Sequence, residues 1–117
     1  MSVIRVKTLT IQLIDAQPDR IRICRIDGES LVTVAVPRED LTEAKSLPNI
    51  PQRGIYYLLD EDHGNVSRVY AGQTTQGIAR LDAHKAKKEF WNKAIMFLDD
   101  DQNISRDALD VLEAKAI

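Results

Sequence analysis

Two tyrosines lie in strand-like segments that a short turn joins. Tyr56 belongs to an apolar and aromatic run at residues 53–59, and Tyr70 belongs to a second run at residues 69–74. Aromatic and β-branched residues favour strands, and the polar, glycine-containing segment 61–65 is typical of a turn. The sequence therefore predicts a β-hairpin with one phenol on each strand. A phenol is a poor base at its ordinary pKa, but nearby cations lower that pKa and suit it to position or activate water.

The pairing of the two strands decides whether the phenols meet. If Asp60 pairs with Val66, Tyr56 lies directly opposite Tyr70 and both side chains project from one face of the sheet. A slip of one residue would place them on opposite faces, because side chains alternate along a strand. Ordinary cross-strand packing is the alternative role for such a pair.

Basic side chains follow the hairpin on a predicted helix that spans about residues 77–88, with Thr74 or Thr75 as its cap. At 100° per residue, the buried side of this helix is defined by Ile78, Leu81 and Ala86. The far side carries three polar residues within an arc of about 60°: Arg80, His84 and Lys87. The alternatives are a solvated polar face and a cationic binding surface, and the neighbouring tyrosines favour the binding surface.

The first fifty residues predict a β-rich region without a catalytic constellation. Strands are expected within residues 3–14, 21–26 and 31–36, followed by a short helix at 38–47. In the first strand, Leu9, Ile11 and Leu13 alternate with polar residues and so share a face. The segment 48–51 contains two prolines and marks a boundary between regions 1–50 and 51–117.

The C-terminal part of the chain predicts a buried strand and a last helix. Residues 94–98 form a continuous apolar run that suits a strand buried on both faces, with Phe90 and Trp91 before it as core anchors. The acids at 99–101 are interpreted as a solvated turn, with a metal site as the minor alternative. The last helix begins near Ser105. Glu113 lies at the border of its apolar stripe, either as an ordinary helix-edge acid or as a metal ligand.

Composition limits the function classes. The chain has 117 residues, of which 44% are hydrophobic and 29% charged, as expected for one globular domain. Its single cysteine, Cys24, excludes an internal disulfide and a cysteine-rich zinc site. The net charge of −2 excludes a uniformly basic nucleic-acid binder. No apolar run is long enough to span a bilayer, so we expect a cytoplasmic protein.

The two tyrosine motifs carry a family resemblance. Gly54-Ile55-Tyr56 followed by Tyr70-Ala71-Gly72 resembles the paired signature of the GIY-YIG nuclease superfamily, with Ala71 where Ile or Val is typical. The predicted order also resembles the superfamily's β-β-α-β-α core, which implies an α/β (α+β) fold at residues 51–117. Residues 1–50 are then a three-stranded N-terminal extension with a short helix, loosely similar to the leader of some bacterial members.

Three further positions match the superfamily in order and context. Arg80 matches its catalytic arginine, His84 the histidine one turn later, and Glu113 its metal-binding glutamate. Members usually carry an asparagine beyond that glutamate, which this chain does not reach, so we expect a truncated domain. Some members also place a lysine at the position of Gln73.

The resemblance implies a metal-dependent endonuclease that hydrolyses DNA phosphodiester bonds. Tyr56, assisted by Tyr70 or His84, would position or activate water, Arg80 would stabilise the transition state, and Glu113 would hold Mg²⁺ or Mn²⁺. DNA contacts are expected from Gln73, Lys85, Lys87 and Lys88. The alternative is a catalytically inactive nucleic-acid-binding or assembly module on the same fold. Substrate preference and oligomeric state remain open at this point.

Overall fold

The computed structural model describes residues 6–100, which form an α+β fold. A six-stranded sheet has the order β1-β2-β3-β6-β4-β5, and every neighbouring pair is antiparallel. The strands are β1 (Leu9–Leu13), β2 (Arg22–Ile26), β3 (Val32–Pro37), β4 (Gly54–Asp62), β5 (Asn65–Thr74) and β6 (Lys93–Leu98). Two short helices are α1 (Leu41–Ala44) and α2 (Leu81–Lys87), and single 3₁₀ turns span Ile14–Ala16, Arg38–Asp40 and Gly77–Arg80.

The core lies between one face of the sheet and the two helices. Alternate residues of the central strands are buried there, and β3 and β6 each contribute three of them. Leu41 of α1 and Leu81 of α2 pack against these side chains. Ile95 and Phe97, on the other face of β6, are only half-buried. The prediction that β6 is buried on both faces was therefore wrong, because the helices cover one side only.

The sheet continues across the predicted boundary at residue 50. Strand β3 pairs with β6 from Val32 opposite Leu98 to Pro37 opposite Lys93. The three predicted N-terminal strands are present, and the predicted helix at 38–47 is a shorter 3₁₀ turn and helix at 38–44. Residues 6–50 and residues 51–100 therefore share one sheet and one core.

The β4–β5 hairpin closes with a two-residue turn. His63 and Gly64 both have positive φ, 49° and 84°, which is the geometry of a tight hairpin turn. Asp60 pairs with Arg68 rather than Val66, and Tyr56 pairs with Gly72 rather than Tyr70. The predicted pairing was wrong because the two-residue turn shifts the register by one residue and an irregularity between Asp60 and Glu61 shifts it by one more.

A β-bulge keeps the two tyrosines on one face. A regular ladder from the tight turn would pair Tyr56 with Ala71 and send Tyr70 to the opposite face. The register shifts between Asp60 and Glu61, and Ser67 is the extra residue on β5. The pairing therefore moves two residues from the predicted one, which preserves the face, and the two tyrosine rings lie diagonally, 6.5 Å apart between centroids.

The end of β6 also differs from its prediction. Asp99 is buried and its backbone N–H donates to the Arg53 carbonyl at 2.7 Å, so this acid does not lie in a solvated turn. Asp100 is exposed and accepts a hydrogen bond from the Gln52 backbone N–H at 2.8 Å. The predicted last helix lies outside the described residues. Within residues 6–100, no helix is both long and apolar enough to cross a membrane.

Candidate functional site

Tyr56 is enclosed beneath α2, with 1% of its surface exposed. Its ring crosses the backbone of Gly72 on the neighbouring strand. A Cβ atom at position 72 would lie 2.5 Å from both Cζ and Oη of Tyr56, closer than side-chain carbons approach. The glycine of the second motif is therefore required by the tyrosine of the first.

His84 meets Tyr56 from the helix side. The Tyr56 Oη and His84 Nε2 atoms are 2.6 Å apart, and the imidazole is 5% exposed. The helical wheel placed His84 on the side away from the core, together with Arg80 and Lys87, and the structure corrects this because His84 is buried. Residues Gly77–Arg80 form a 3₁₀ turn, in which side chains three apart eclipse each other. The buried stripe is consequently Ile78, Leu81 and His84, while Ala86 is exposed.

The surroundings of His84 favour its neutral form. Burial lowers the pKa of His84 below its ordinary value of 6.5, and the positive charges of Arg80, Lys88 and Lys87 lower it further. A neutral imidazole has one acceptor nitrogen and one donor N–H. With Nε2 as the acceptor, the Tyr56 hydroxyl donates a hydrogen bond to it, and the two side chains form a buried hydrogen-bonded pair.

Tyr70 is the phenol of this cluster that reaches solvent. It is half-buried, and its ring centroid lies 5.2 Å from that of His84. The Lys88 ammonium lies 4.4 Å above the Tyr70 ring. A cation at this distance is attracted to the negative face of the aromatic ring. We refer to Tyr56, Tyr70, His84 and Lys88 as the tyrosine–histidine cluster.

Arg80 is exposed and faces a polar recess beside this cluster. An open pocket of about 230 Å³ is lined by Gln73, Thr74, Thr75, Gln76 and Arg80. The Thr74 hydroxyl accepts a hydrogen bond from the Gln76 backbone N–H at 2.9 Å, which orders the turn in front of α2. A guanidinium among amides and hydroxyls suits an anionic group such as a phosphate.

The predicted DNA-contacting residues divide between two places. Gln73 lies beside Arg80, and Lys88 lies over Tyr70. Lys87 is exposed on α2. Lys85 instead lines a different cleft of about 620 Å³, together with Arg22 and Lys93. The structure therefore brings Lys88 to the tyrosine–histidine cluster, leaves Gln73 beside Arg80, and places Lys85 in the other cleft.

Arg38 fixes the C-terminal end of α2, and sequence reasoning missed it. Its guanidinium donates to the carbonyl oxygens of Lys85, Lys88 and Trp91, at 2.8, 2.7 and 3.1 Å, and stacks over the Trp91 ring. The Trp91 indole N–H donates in turn to the His84 carbonyl at 3.4 Å. No local pattern identifies an arginine that lies 47 to 53 residues before its targets, whereas Trp91 was predicted as a core anchor and is buried.

The described residues do not by themselves make a magnesium site. Within residues 6–100, no three His, Cys, Asp or Glu side chains are grouped to hold a metal. The tyrosine–histidine cluster offers phenols and an imidazole beside cations, whereas Mg²⁺ prefers carboxylate oxygens and water. The predicted ligand, Glu113, lies outside the described residues.

Comparisons with known proteins found no relative of this chain. No protein-family model, no curated protein and no solved structure matched the chain.

Proposed function

We propose that this chain is a GIY-YIG-like nuclease domain that hydrolyses DNA phosphodiester bonds with the help of a divalent cation. The observation that supports the proposal is the contact of Tyr56 and Tyr70, fourteen residues apart, with the same histidine side chain. Three polar aromatic residues converge on the helix-covered face, where the remaining sheet side chains are largely apolar. Polar groups are retained in such a place at a cost in burial, which indicates a functional site.

The roles follow from exposure. Tyr70 is half-buried under the Lys88 ammonium and would position the attacking water. Tyr56 is enclosed and would act through His84, which takes up or returns a proton at Nε2. The water oxygen would bond to phosphorus as one of its protons passes to the Tyr56 oxygen and the Tyr56 proton moves to His84 Nε2. The bond from phosphorus to the leaving deoxyribose oxygen would break, and that oxygen would take up a proton from solvent. Arg80 would stabilise the charge that develops on the phosphate oxygens.

The metal part of the proposal depends on Glu113. A divalent cation such as Mg²⁺ or Mn²⁺ would neutralise charge on the leaving oxygen. A single carboxylate with substrate phosphate and water is a known way of holding Mg²⁺, so one glutamate outside the described residues is sufficient. Removing that carboxylate is therefore the test of the metal requirement.

DNA binding would use the cations around the cluster. Arg80 and Lys87 are exposed, and Lys88 is half-buried over Tyr70. These positive charges are few, so backbone contacts would be weak and would weaken further with salt. They carry no sequence information, because phosphate contacts position a protein without reading bases.

A second candidate function is a catalytically inactive nucleic-acid-binding or assembly module. The observation that favours it is the enclosure of Tyr56, whose hydroxyl is already within hydrogen-bonding distance of a buried histidine. A buried tyrosine–histidine pair of this kind also serves as a structural link between a strand and a helix. The two functions differ in whether Tyr70 and Arg80 contact a substrate that is cleaved.

Plasmid nicking distinguishes the two functions. We expect relaxation of supercoiled plasmid with Mg²⁺ or Mn²⁺ and none with a chelator. Arg80→Ala and Glu113→Ala should each lower the rate by about 100-fold, while Arg25→Ala, on the distant strand β2, should leave it unchanged. Cleavage that survives both changes would contradict the mechanism. Metal-independent DNA binding without cleavage would support the inactive module.

A further inference from the structure

Strand β1 contributes to the sheet but not to the core. All five of its residues are exposed, including Leu9, Ile11 and Leu13, which are 54%, 56% and 39% exposed. β1 is the edge of the sheet, and within the described residues its sole pairing partner is β2. Three large apolar side chains on an open edge strand are costly in water and indicate a surface that another strand covers.

The backbone of β1 directs its unused hydrogen-bonding groups outward at these same residues. The Thr8 carbonyl accepts from Asp27, and the Ile14 N–H donates to Ile21. Because alternate residues of a strand bond to the same neighbour, the even-numbered positions face β2. Leu9, Ile11 and Leu13 therefore present their N–H and C=O groups to the open edge.

The sequence of this edge is self-complementary. The segment Leu9-Thr10-Ile11-Gln12-Leu13 has leucines at equal distances on either side of Ile11. If a second copy pairs antiparallel about Ile11, each Leu9 lies opposite a Leu13 and the two Ile11 residues lie opposite each other. Thr10 then lies opposite Gln12. This is the pattern of an isologous two-fold contact, in which one patch matches itself.

The opposite edge of the sheet also exposes apolar residues, Val66 and Val69, but they are interrupted. β5 carries a bulge at Ser67 and the charged residue Arg68 on its exposed half. Bulges and charges are the devices that discourage edge-to-edge pairing, and β1 has neither between Leu9 and Leu13. The difference makes β1 the edge that accepts another strand.

We propose that the partner of β1 is a second copy of this chain. Two β1 strands pair antiparallel about Ile11, so that two six-stranded sheets continue into one of twelve strands. The leucine and isoleucine side chains of both copies form one apolar row beside Cys24, which lies opposite Ile11 within each copy. Five residues a side make a small interface, so the dimer should form in a concentration-dependent way.

Sedimentation equilibrium over a range of concentrations tests the dimer. We expect the unmodified chain to shift from monomer to dimer as concentration rises. Ile11→Lys places two like charges directly opposite each other and should weaken the association by about tenfold or more. Val69→Lys, at an equally exposed apolar position on the opposite edge, should leave the association unchanged.

A second variant separates edge pairing from general apolar contact. Ile11→Pro removes a backbone N–H that faces outward and leaves the β1–β2 hydrogen bonds in place, so it should abolish dimerisation without unfolding the sheet. A chain that stays monomeric at every concentration, or a dimer that persists in both Ile11 variants, would overturn the proposal.

The sole cysteine reports the register directly. Spin labels on Cys24 of the two copies should show dipolar coupling, because three strand spacings separate the two Cα atoms by about 14 Å. Coupling that disappears in the Ile11→Lys variant supports the pairing about Ile11. A dimer without coupling would place the interface elsewhere and contradict it.

Discussion

The two edge strands of the sheet, β1 and β5, have the same kind of pairing but differ in the burial of their side chains. In the second half of β5, Tyr70, Gly72 and Thr74 lie on the helix-covered face of the sheet. The Tyr70 ring there contacts His84 of α2. β1 turns none of its side chains into the core. Both strands pair antiparallel with one neighbour, so hydrogen bonding does not distinguish them. What differs is the element that covers each strand.

This difference separates the β5 region, which carries the candidate site, from the β1 edge, which carries the proposed association surface. At β5, α2 brings His84 and Leu81 over the strand, and Arg38 of the N-terminal region fixes the end of that helix. At β1, the described residues place no helix over the strand. Substitutions at the inward-facing residues of β5 should therefore change the proposed site, whereas substitutions at β1 should change association only.

The largest effect on the site is expected from Gly72→Ala. The new Cβ must displace the enclosed Tyr56 ring, because it would lie 2.5 Å from Cζ and Oη. We expect a loss of about 1–3 kcal/mol in the free energy of unfolding, as in other overpacked cores, and loss of the Tyr56–His84 hydrogen bond. Urea denaturation and the imidazole resonances of His84 measure the two effects.

Gly64→Ala is the control for this substitution. Gly64 has a positive φ of 84°, unlike Gly72, and a Cβ there meets nothing within 4 Å. It should cost about 1 kcal/mol from backbone strain and leave the His84 resonances unchanged. Equal perturbation of His84 by both variants would show that the close approach at Gly72 has no special role.

An intermediate effect is expected on the pH dependence of stability. Since the pKa of His84 is lowered in the folded state, the unfolded chain binds more protons below its ordinary pKa of 6.5. The contribution of His84 to stability is therefore complete above that pH and is lost as the pH falls through the window below it. His84→Gln should flatten the difference in unfolding free energy between about pH 8 and about pH 5.

His63 provides the matched control, because it is the other histidine of the chain and its side chain is exposed in the hairpin turn. His63→Gln removes an exposed imidazole and should change this difference in unfolding free energy less than His84→Gln does. A steeper profile for His84→Gln, or an equal change in both variants, would contradict the burial of His84.

The smallest effect is expected from deletion of Ser67. Without this extra residue, Arg68 follows Val66 directly and pairs with Asp60 in a regular ladder, so Tyr56 still pairs with Gly72. We expect a change within about 1 kcal/mol and an unchanged nuclear Overhauser contact between the Tyr70 and His84 rings. Loss of that contact would show that the bulge shapes the site beyond setting its register.

The sequence predicted the elements of this fold better than their relative placement. The strands around Tyr56 and Tyr70 and the polar helix after them are recognisable because their residue types repeat with the period of each element. The pairing register of the hairpin was not recognisable from the sequence, because it depends on a His63–Gly64 turn and a bulge at Ser67. Tight turns commonly contain glycine, but neither the turn nor the bulge leaves a unique signal in one sequence.

The candidate site was predicted as a set of residues rather than as an arrangement. The two tyrosine motifs and Arg80 identified the region of the candidate site. His84 was placed on the side of the helix away from the core, because a uniform α-helix was assumed. Arg38 contacts a segment that is distant in sequence. Gly72 is required by the close approach of the Tyr56 ring from the neighbouring strand. Such contacts arise from the packing of the whole sheet, and local periodicity does not contain them.

Single-turnover cleavage of a DNA duplex by tyrosine variants tests the central claim most directly. Tyr57 provides the internal control, since it neighbours Tyr56 but packs against Phe97 on the other face of the sheet. We expect Tyr56→Phe and Tyr70→Phe each to lower the cleavage rate by about 100-fold, while Tyr57→Phe leaves it unchanged. Full activity in Tyr56→Phe and Tyr70→Phe, or an equal loss in Tyr57→Phe, would contradict a catalytic site on the helix-covered face.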